Sequence, residues 1–129
     1  VSLAPRDHHS LLQLYLDGPK DKLFYIFSSN LNKKMKINSN IFGKSFSFVE
    51  NKELSEVKEA QKNALIRALK NKNIPFREFR INKITEEALG ELFSYFILDT
   101  VLIGNLIGVN PFNQPAVEEV KILTKNYLS

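Results

Sequence analysis

Between residues 23 and 81 the hydrophobic pattern changes period twice, and this constrains the fold more than any other feature of the chain. Leu23-Phe24-Tyr25-Ile26-Phe27 is a continuous apolar and aromatic run of strand length, the pattern of a strand covered on both faces. From Leu54 onward, Leu54, Val57, Ala60, Ala64, Leu65, Ala68 and Leu69 fall along one helical face, which predicts a helix ending near Asn71 to Asn73, ahead of Pro75. Phe76-Arg77-Glu78-Phe79-Arg80-Ile81 then alternates, as a strand with one buried and one wetter face does. A strand, a helix and a strand in that order normally join parallel strands through a right-handed crossover. The chain therefore reads as α/β, a mostly parallel sheet with flanking helices.

The remaining elements follow from local signals. Asp7 or Ser10 can cap a short helix over residues 10–16, which Gly18 and Pro19 end. Residues 28–52 are polar and rich in Asn, Ser and Lys, with Gly43 and a brief alternation at Phe46 and Phe48; they read as a connection with one short edge strand. Thr85 caps a long apolar helix, with Glu86 and Glu87 near the positive end of its dipole. Glu91, Asp99 and Asn105 interrupt this stretch, and charges at that depth are costly in lipid, so a long buried core helix is expected rather than a membrane span. Pro115 suits the first position of a carboxyl-terminal helix reaching about Leu128. No repeat or low-complexity linker divides the 129 residues, so a single domain over 1–129 is expected.

Composition narrows the function classes. A hydrophobic fraction of 43% and a charged fraction of 25% argue against disorder and against a fibrous protein. The net charge of +4 is spread along the chain, with only Asn32-Lys33-Lys34-Met35-Lys36 clustered. Such a charge suits phosphorylated metabolites as well as nucleic acid. The aromatics fall in expected core elements rather than beside exposed basic residues, which disfavours stacking on bases. With no cysteine, disulfides and thiolate metal sites are excluded, in keeping with a reducing cytoplasm. The start, Val1-Ser2-Leu3-Ala4-Pro5-Arg6, has no initiator methionine and no signal-peptide pattern, and reads as a fragment or processed product.

Two segments carry candidate chemistry. Asn110-Pro111-Phe112-Asn113-Gln114-Pro115-Ala116-Val117-Glu118-Glu119-Val120-Lys121 is a rigid, proline-flanked turn feeding a helix with a lysine on its second turn. At 100° per residue Lys121 lies about 40° from Val117, at the edge of the apolar face and partly desolvated. The same placement also describes a lysine that packs its stem and extends its ammonium to water. Asp7-His8-His9-Ser10 stands at a helix start, and histidine is the residue type that exchanges protons near neutral pH. Paired histidines near a chain end are otherwise solvated or incidental. Adjacent side chains diverge and no carboxylate at helical spacing completes a metal site.

The first segment resembles the carboxyl-terminal signature of glucose-6-phosphate isomerases, in which Asn-Pro-Phe-Asp-Gln-Pro leads after a short interval to a catalytic lysine. The second, from Asp7 through Gln13-Leu14 to Gly18-Pro19, resembles the family's Asp-Gln-His-Ser followed by a Gln-Leu helix and a Gly-Pro turn. The run Glu86-Glu87-Ala88-Leu89-Gly90-Glu91-Leu92 and the element order extend the resemblance over nearly the whole chain, weakest across 28–52. Asn113 stands where the family has aspartate, Val120 where it has glycine, His8 where it has glutamine, and Ala4, Pro5 and Arg6 where it has glycine and small residues.

The resemblance implies the later part of a second sugar-isomerase (SIS) domain with its terminal helices, a three-layer sandwich, and the earlier SIS domain absent. It implies His9 as the acid at the ring oxygen, Lys121 assisting at the O1 end, and Gln114 contacting substrate, with no cofactor and no metal. It implies a sugar-phosphate ligand, a homodimer in the full-length form, no nucleic-acid or membrane partner, and a cytoplasmic location. The family's transfer base and phosphate loop lie upstream of Val1, so the isolated chain is expected to be inactive. Glu118 and Glu119 step about 60° and 160° from Lys121 and read as solvated rather than as substitute bases. The alternative is a non-catalytic SIS-like module for sugar-phosphate binding or assembly.

Overall fold

Phe24–Ser29 (β1) and Phe76–Ile81 (β2) pair in parallel, with Phe24 opposite Phe76 and Ser29 opposite Ile81, and the helix Leu54–Asn71 (α2) connects them. This is a computed structural model, and it describes residues 1–30, 35–38 and 44–129. Helix α1 spans His8–Asp17, α3 spans Glu86–Leu106 and α4 spans Pro115–Leu128. The α/β class, the parallel pairing and the long and terminal helices all match the sequence reading. The described chain forms two compact units, Val1–Ile84 and Thr85–Ser129.

In the first unit both contacting helices reach the same face of the strand pair. Tyr15 of α1 meets Phe24 edge-on at 5.2 Å between ring centroids. Lys62 of α2 bonds Glu78 of β2 at 3.0 Å and Glu59 of its own helix at 2.9 Å, while Arg80 reaches Glu78 at 3.3 Å and Glu59 at 3.5 Å. The Lys62 side chain is only 10% exposed, so its charge persists because two carboxylates meet it. Hydrogen bonding by Lys62 holds both Glu59 and Glu78 below the usual carboxylate range. Burial pushes Lys62 down, but its bonds to Glu59 and Glu78 outweigh this and raise it. On the other strand face Phe27 stacks on Phe79 at 5.0 Å and Arg77 lies over the Tyr25 ring.

Among the described residues of this unit Leu69 and Ile74 are the buried apolar ones, and both lie at the α2 exit. Asn73 takes a positive φ of 54° there, and the Ile74 amide donates to the Leu69 carbonyl at 3.0 Å. Asparagine tolerates the left-handed turn that ends a helix. At the α1 exit an added Cβ on Gly18 would lie 2.3 Å from the Leu14 carbonyl oxygen, so only glycine fits that turn. Lys72 pairs with Asp17, joining the ends of the two helices.

Three expectations are corrected. Phe46 and Phe48 do not form an edge strand: Lys44–Val49 is a 3-10 helix. A two-residue alternation specifies a strand only where a neighbour offers a hydrogen-bonding edge. Pairing instead occurs at the base of the connection, where Lys36 bridges Glu53 in antiparallel sense. The basic cluster at Asn32, Lys33 and Lys34, and Gly43, lie outside the described residues. Asp7 is at the N-cap of α1 but makes no side-chain cap bond; its carboxylate instead accepts from the Leu3 amide and from Arg6.

The third correction concerns α3, whose apolar composition predicts burial. Thr85 does cap it, accepting from the Ala88 amide at 3.3 Å, but Gly104 is its one buried residue. Phe93 and Ile97 are 65% exposed, and Leu98 and Leu102 62%. A helix apolar on all sides requires cover on all sides, and among the described residues this unit has only α3 and α4 as helices. By length and composition α3 is also sufficient to cross a membrane.

Candidate functional site

His9 is the second residue of α1 and is exposed, whereas His8 is half-buried. His8 lines a groove of about 350 Å³ between α1 and α2, with Pro5 and Leu12 on one side and Gln61, Ala64, Leu65 and Ala68 on the other. The two histidines therefore diverge, as neighbours on a helix must. One faces packing and the other faces solvent. The turn before them is wound by bonds from the Asp7 amide to the Leu3 carbonyl and from the His8 amide to the Pro5 carbonyl. The Arg6 guanidinium, and then the Leu3 amide, hold the Asp7 carboxyl below its ordinary range.

Gln114 and Lys121 belong to the second unit, and the elements that place them are local. Helix α3 ends at Leu106 with Ile107 as its C-cap, and Gly108 takes a positive φ of 71°. The Val109 amide then donates to the Gly104 carbonyl at 2.8 Å. A Cβ on Gly104 would lie 3.1 Å from the Pro111 side chain and 3.1 Å from the Val109 carbonyl oxygen. Gly104 therefore lets the proline-flanked turn lie directly on the helix. Within that turn the Asn110 side chain accepts from the Phe112 amide at 2.9 Å, a local bond typical of asparagine turns.

This turn delivers Gln114 to the N-cap position of α4, with Pro115 at the first helical position as expected. The Gln114 carbonyl accepts from the Val117 and Glu118 amides. Its side-chain amide is exposed and makes no hydrogen bond among the described residues. Seven residues on, Lys121 stands in the second turn of α4. The Lys121 ammonium bonds Glu118 at 2.6 Å, three residues back, which draws it toward the Gln114 end. Gln114 thus precedes the helix that carries Lys121.

The partial desolvation expected of Lys121 is not found: its side chain is 65% exposed and that of Glu118 62%. The apolar neighbours that would have covered it, Val117 and Leu128, are themselves exposed. Glu118 and Glu119 are exposed, and neither acts as more than a surface carboxylate here. Two contributors escape the sequence reading. Gly104 is not singled out there, although a glycine near the end of a helical pattern can have a packing reason. The Glu118 to Lys121 pair was legible in its three-residue spacing. Among the described residues no group of His, Cys, Asp and Glu could hold a metal ion.

The chain is similar over almost its whole length to a segment of glucose-6-phosphate isomerases. It is 34% identical over 125 residues to that enzyme of Methanocaldococcus jannaschii, covering 94% of this chain and 30% of the relative. The Campylobacter jejuni enzyme is 34% identical over 128 residues, covering 98% of this chain and 32% of the relative. The chain thus spans about a third of the length of the curated relatives it matches. A solved hypothetical protein of Thermus thermophilus superposes with a TM-score of 0.80 at 28% identity, covering 99% of this chain and 31% of that one. No family model matches.

Proposed function

We infer that the chain supplies the carboxyl-terminal part of a glucose-6-phosphate isomerase and acts with an upstream segment. The observation that carries this reading is similarity over nearly the whole chain to about 30% of enzymes of that name. The Asn-Pro-Phe-Asn-Gln-Pro turn adds support by leading through the Gln114 cap into the helix that carries Lys121.

In this reading His9 gives a proton to the ring oxygen of the bound sugar phosphate as the bond from that oxygen to C1 breaks. A base from the upstream segment then carries a proton between C2 and C1 through an enediolate. The Lys121 ammonium stabilises the negative charge that develops on O1, and the exposed Gln114 amide hydrogen-bonds the sugar. Acid and base tasks are thus divided among separate groups. The assembled enzyme is a cytoplasmic homodimer acting in glycolysis and gluconeogenesis, without cofactor or metal. The chain by itself turns over no fructose 6-phosphate.

The test is a chimera in which this chain replaces the matching segment of the Methanocaldococcus jannaschii enzyme, assayed in the direction of glucose 6-phosphate. His9→Ala should slow ring-closed substrate more than ring-opened substrate, by about 10²- to 10⁴-fold. Lys121→Ala should lower kcat for both by about 10²- to 10³-fold. Losses below about threefold in both variants would make these residues structural. If His8→Ala proves more damaging than His9→Ala, the histidine assignment moves by one residue. Turnover by the isolated chain comparable to that of the chimera would refute the dependence on an upstream segment.

A further inference from the structure

The geometry points to the face of α3 bearing Leu98, Leu102 and Leu106 as the surface on which the remaining part of such an isomerase seats, an inference that rests on the reading above. Gly104 fixes the opposite side of the helix: Pro111 and Val109 lie against it. At 100° per residue Leu102 stands about 160° around the axis from Gly104. The turn that covers one side of α3 therefore cannot cover the other. Leu98, Leu102 and Leu106 are 62%, 62% and 84% exposed, and their spacing of four aligns them in a stripe about 12 Å long.

Glu87 and Glu91 lie within about 20° of Leu98 around the axis and prolong the stripe toward the amino-terminal end of α3. The stripe is thus apolar along its carboxyl-terminal half and acidic at its start. A lipid occupant would have to accept Glu91 on that same face, which is costly. A protein with apolar side chains opposite the leucines and a basic group opposite the two glutamates meets both halves. About 70% of the length of the matched relatives lies outside the stretch this chain spans, which supplies a polypeptide of sufficient size. The occupant is that polypeptide.

The experiment mixes this chain with the Methanocaldococcus jannaschii relative lacking its matching stretch, and reads mass by light scattering and affinity by anisotropy of the labelled chain. A one-to-one complex is expected, with Leu102→Glu raising the apparent Kd by at least about tenfold. Circular dichroism of the isolated chain should not change, because Leu102 is largely exposed there. The single-chain chimera guards against a companion that fails to fold. In it Leu102→Glu should lower the thermal midpoint while leaving that of the isolated chain in place.

Equal effects in chimera and isolated chain, or none, would overturn the proposal. So would binding of the chain to phosphatidylcholine vesicles, or a self-associated state dissolved by Leu102→Glu, in place of the complex. A complex that forms but turns over no fructose 6-phosphate would count against the catalytic reading and leave this surface standing. An active chimera indifferent to Leu102→Glu would do the reverse.

Discussion

The two compact units solve the problem of apolar side chains in opposite ways. In Val1–Ile84, Leu69 is 1% and Ile74 5% exposed, and the charges nearest the strands are matched by Lys62, Glu59, Glu78 and Arg80. In Thr85–Ser129 the more hydrophobic helix of the molecule buries only a glycine. Apolar content is therefore a poor guide to how much a segment stabilises itself. What counts is area removed from water, at roughly 25 cal/mol per Å², and α3 removes little of its own. The first unit pairs the charges beside its strands and covers part of its apolar surface internally. The second presents a surface whose burial needs another polypeptide.

Substitutions of identical chemistry in the two units test that contrast most directly. Leu69→Ala should cost the isolated chain about 2–5 kcal/mol, as deletions in a packed core do. Leu98→Ala should stay within about 0.5 kcal/mol, as for a surface position. Urea unfolding followed by aromatic fluorescence measures both, and similar losses at the two leucines would erase the distinction. Leu98→Ala should cost more in the chimera than in the isolated chain.

A smaller effect is expected inside the second unit. Gly104→Val places a branched side chain where even a Cβ would stand 3.1 Å from Pro111 and from the Val109 carbonyl oxygen. Overpacking of this kind costs about 1–3 kcal/mol. Because the displaced turn carries Gln114 and sets the start of α4, the chimera should also show altered KM. Unchanged kinetics would separate the turn from the site.

The smallest effect is electrostatic and confined to the first unit. Lys62 holds Glu59 and Glu78 below the usual carboxylate range, so their contribution is complete above the unfolded carboxylate value and is lost as pH falls through the folded one. The Lys62 shift has the opposite sign: raised, its contribution is complete below the ordinary lysine value of about 10.4 and is lost only as pH rises through the folded one. The gap in thermal midpoint between the wild type and Lys62→Met should therefore be constant near neutrality and shrink below about pH 4.5. A gap independent of pH would mean that Lys62 acts through its stem rather than its charge.

Element identity was legible from residue patterns alone. The helix at 54–71, the strand at 76–81, the Thr85 cap and the Pro115 start are each dictated within one or two turns of chain, by side-chain periodicity, by a capping oxygen, or by a missing amide hydrogen. So were the candidate residues, since His9, Gln114 and Lys121 sit in segments whose residue order is itself the signal. Tertiary structure decided what periodicity leaves open. It turned Phe46 and Phe48 into a 3-10 helix rather than a strand, because a strand needs a neighbouring edge that local sequence does not specify. It made Gly104 the seat of Pro111, a contact between two elements. It left Lys121 and the leucines of α3 in water, because an apolar face states only that burial is favourable, and the surface that provides it belongs to whatever packs against it.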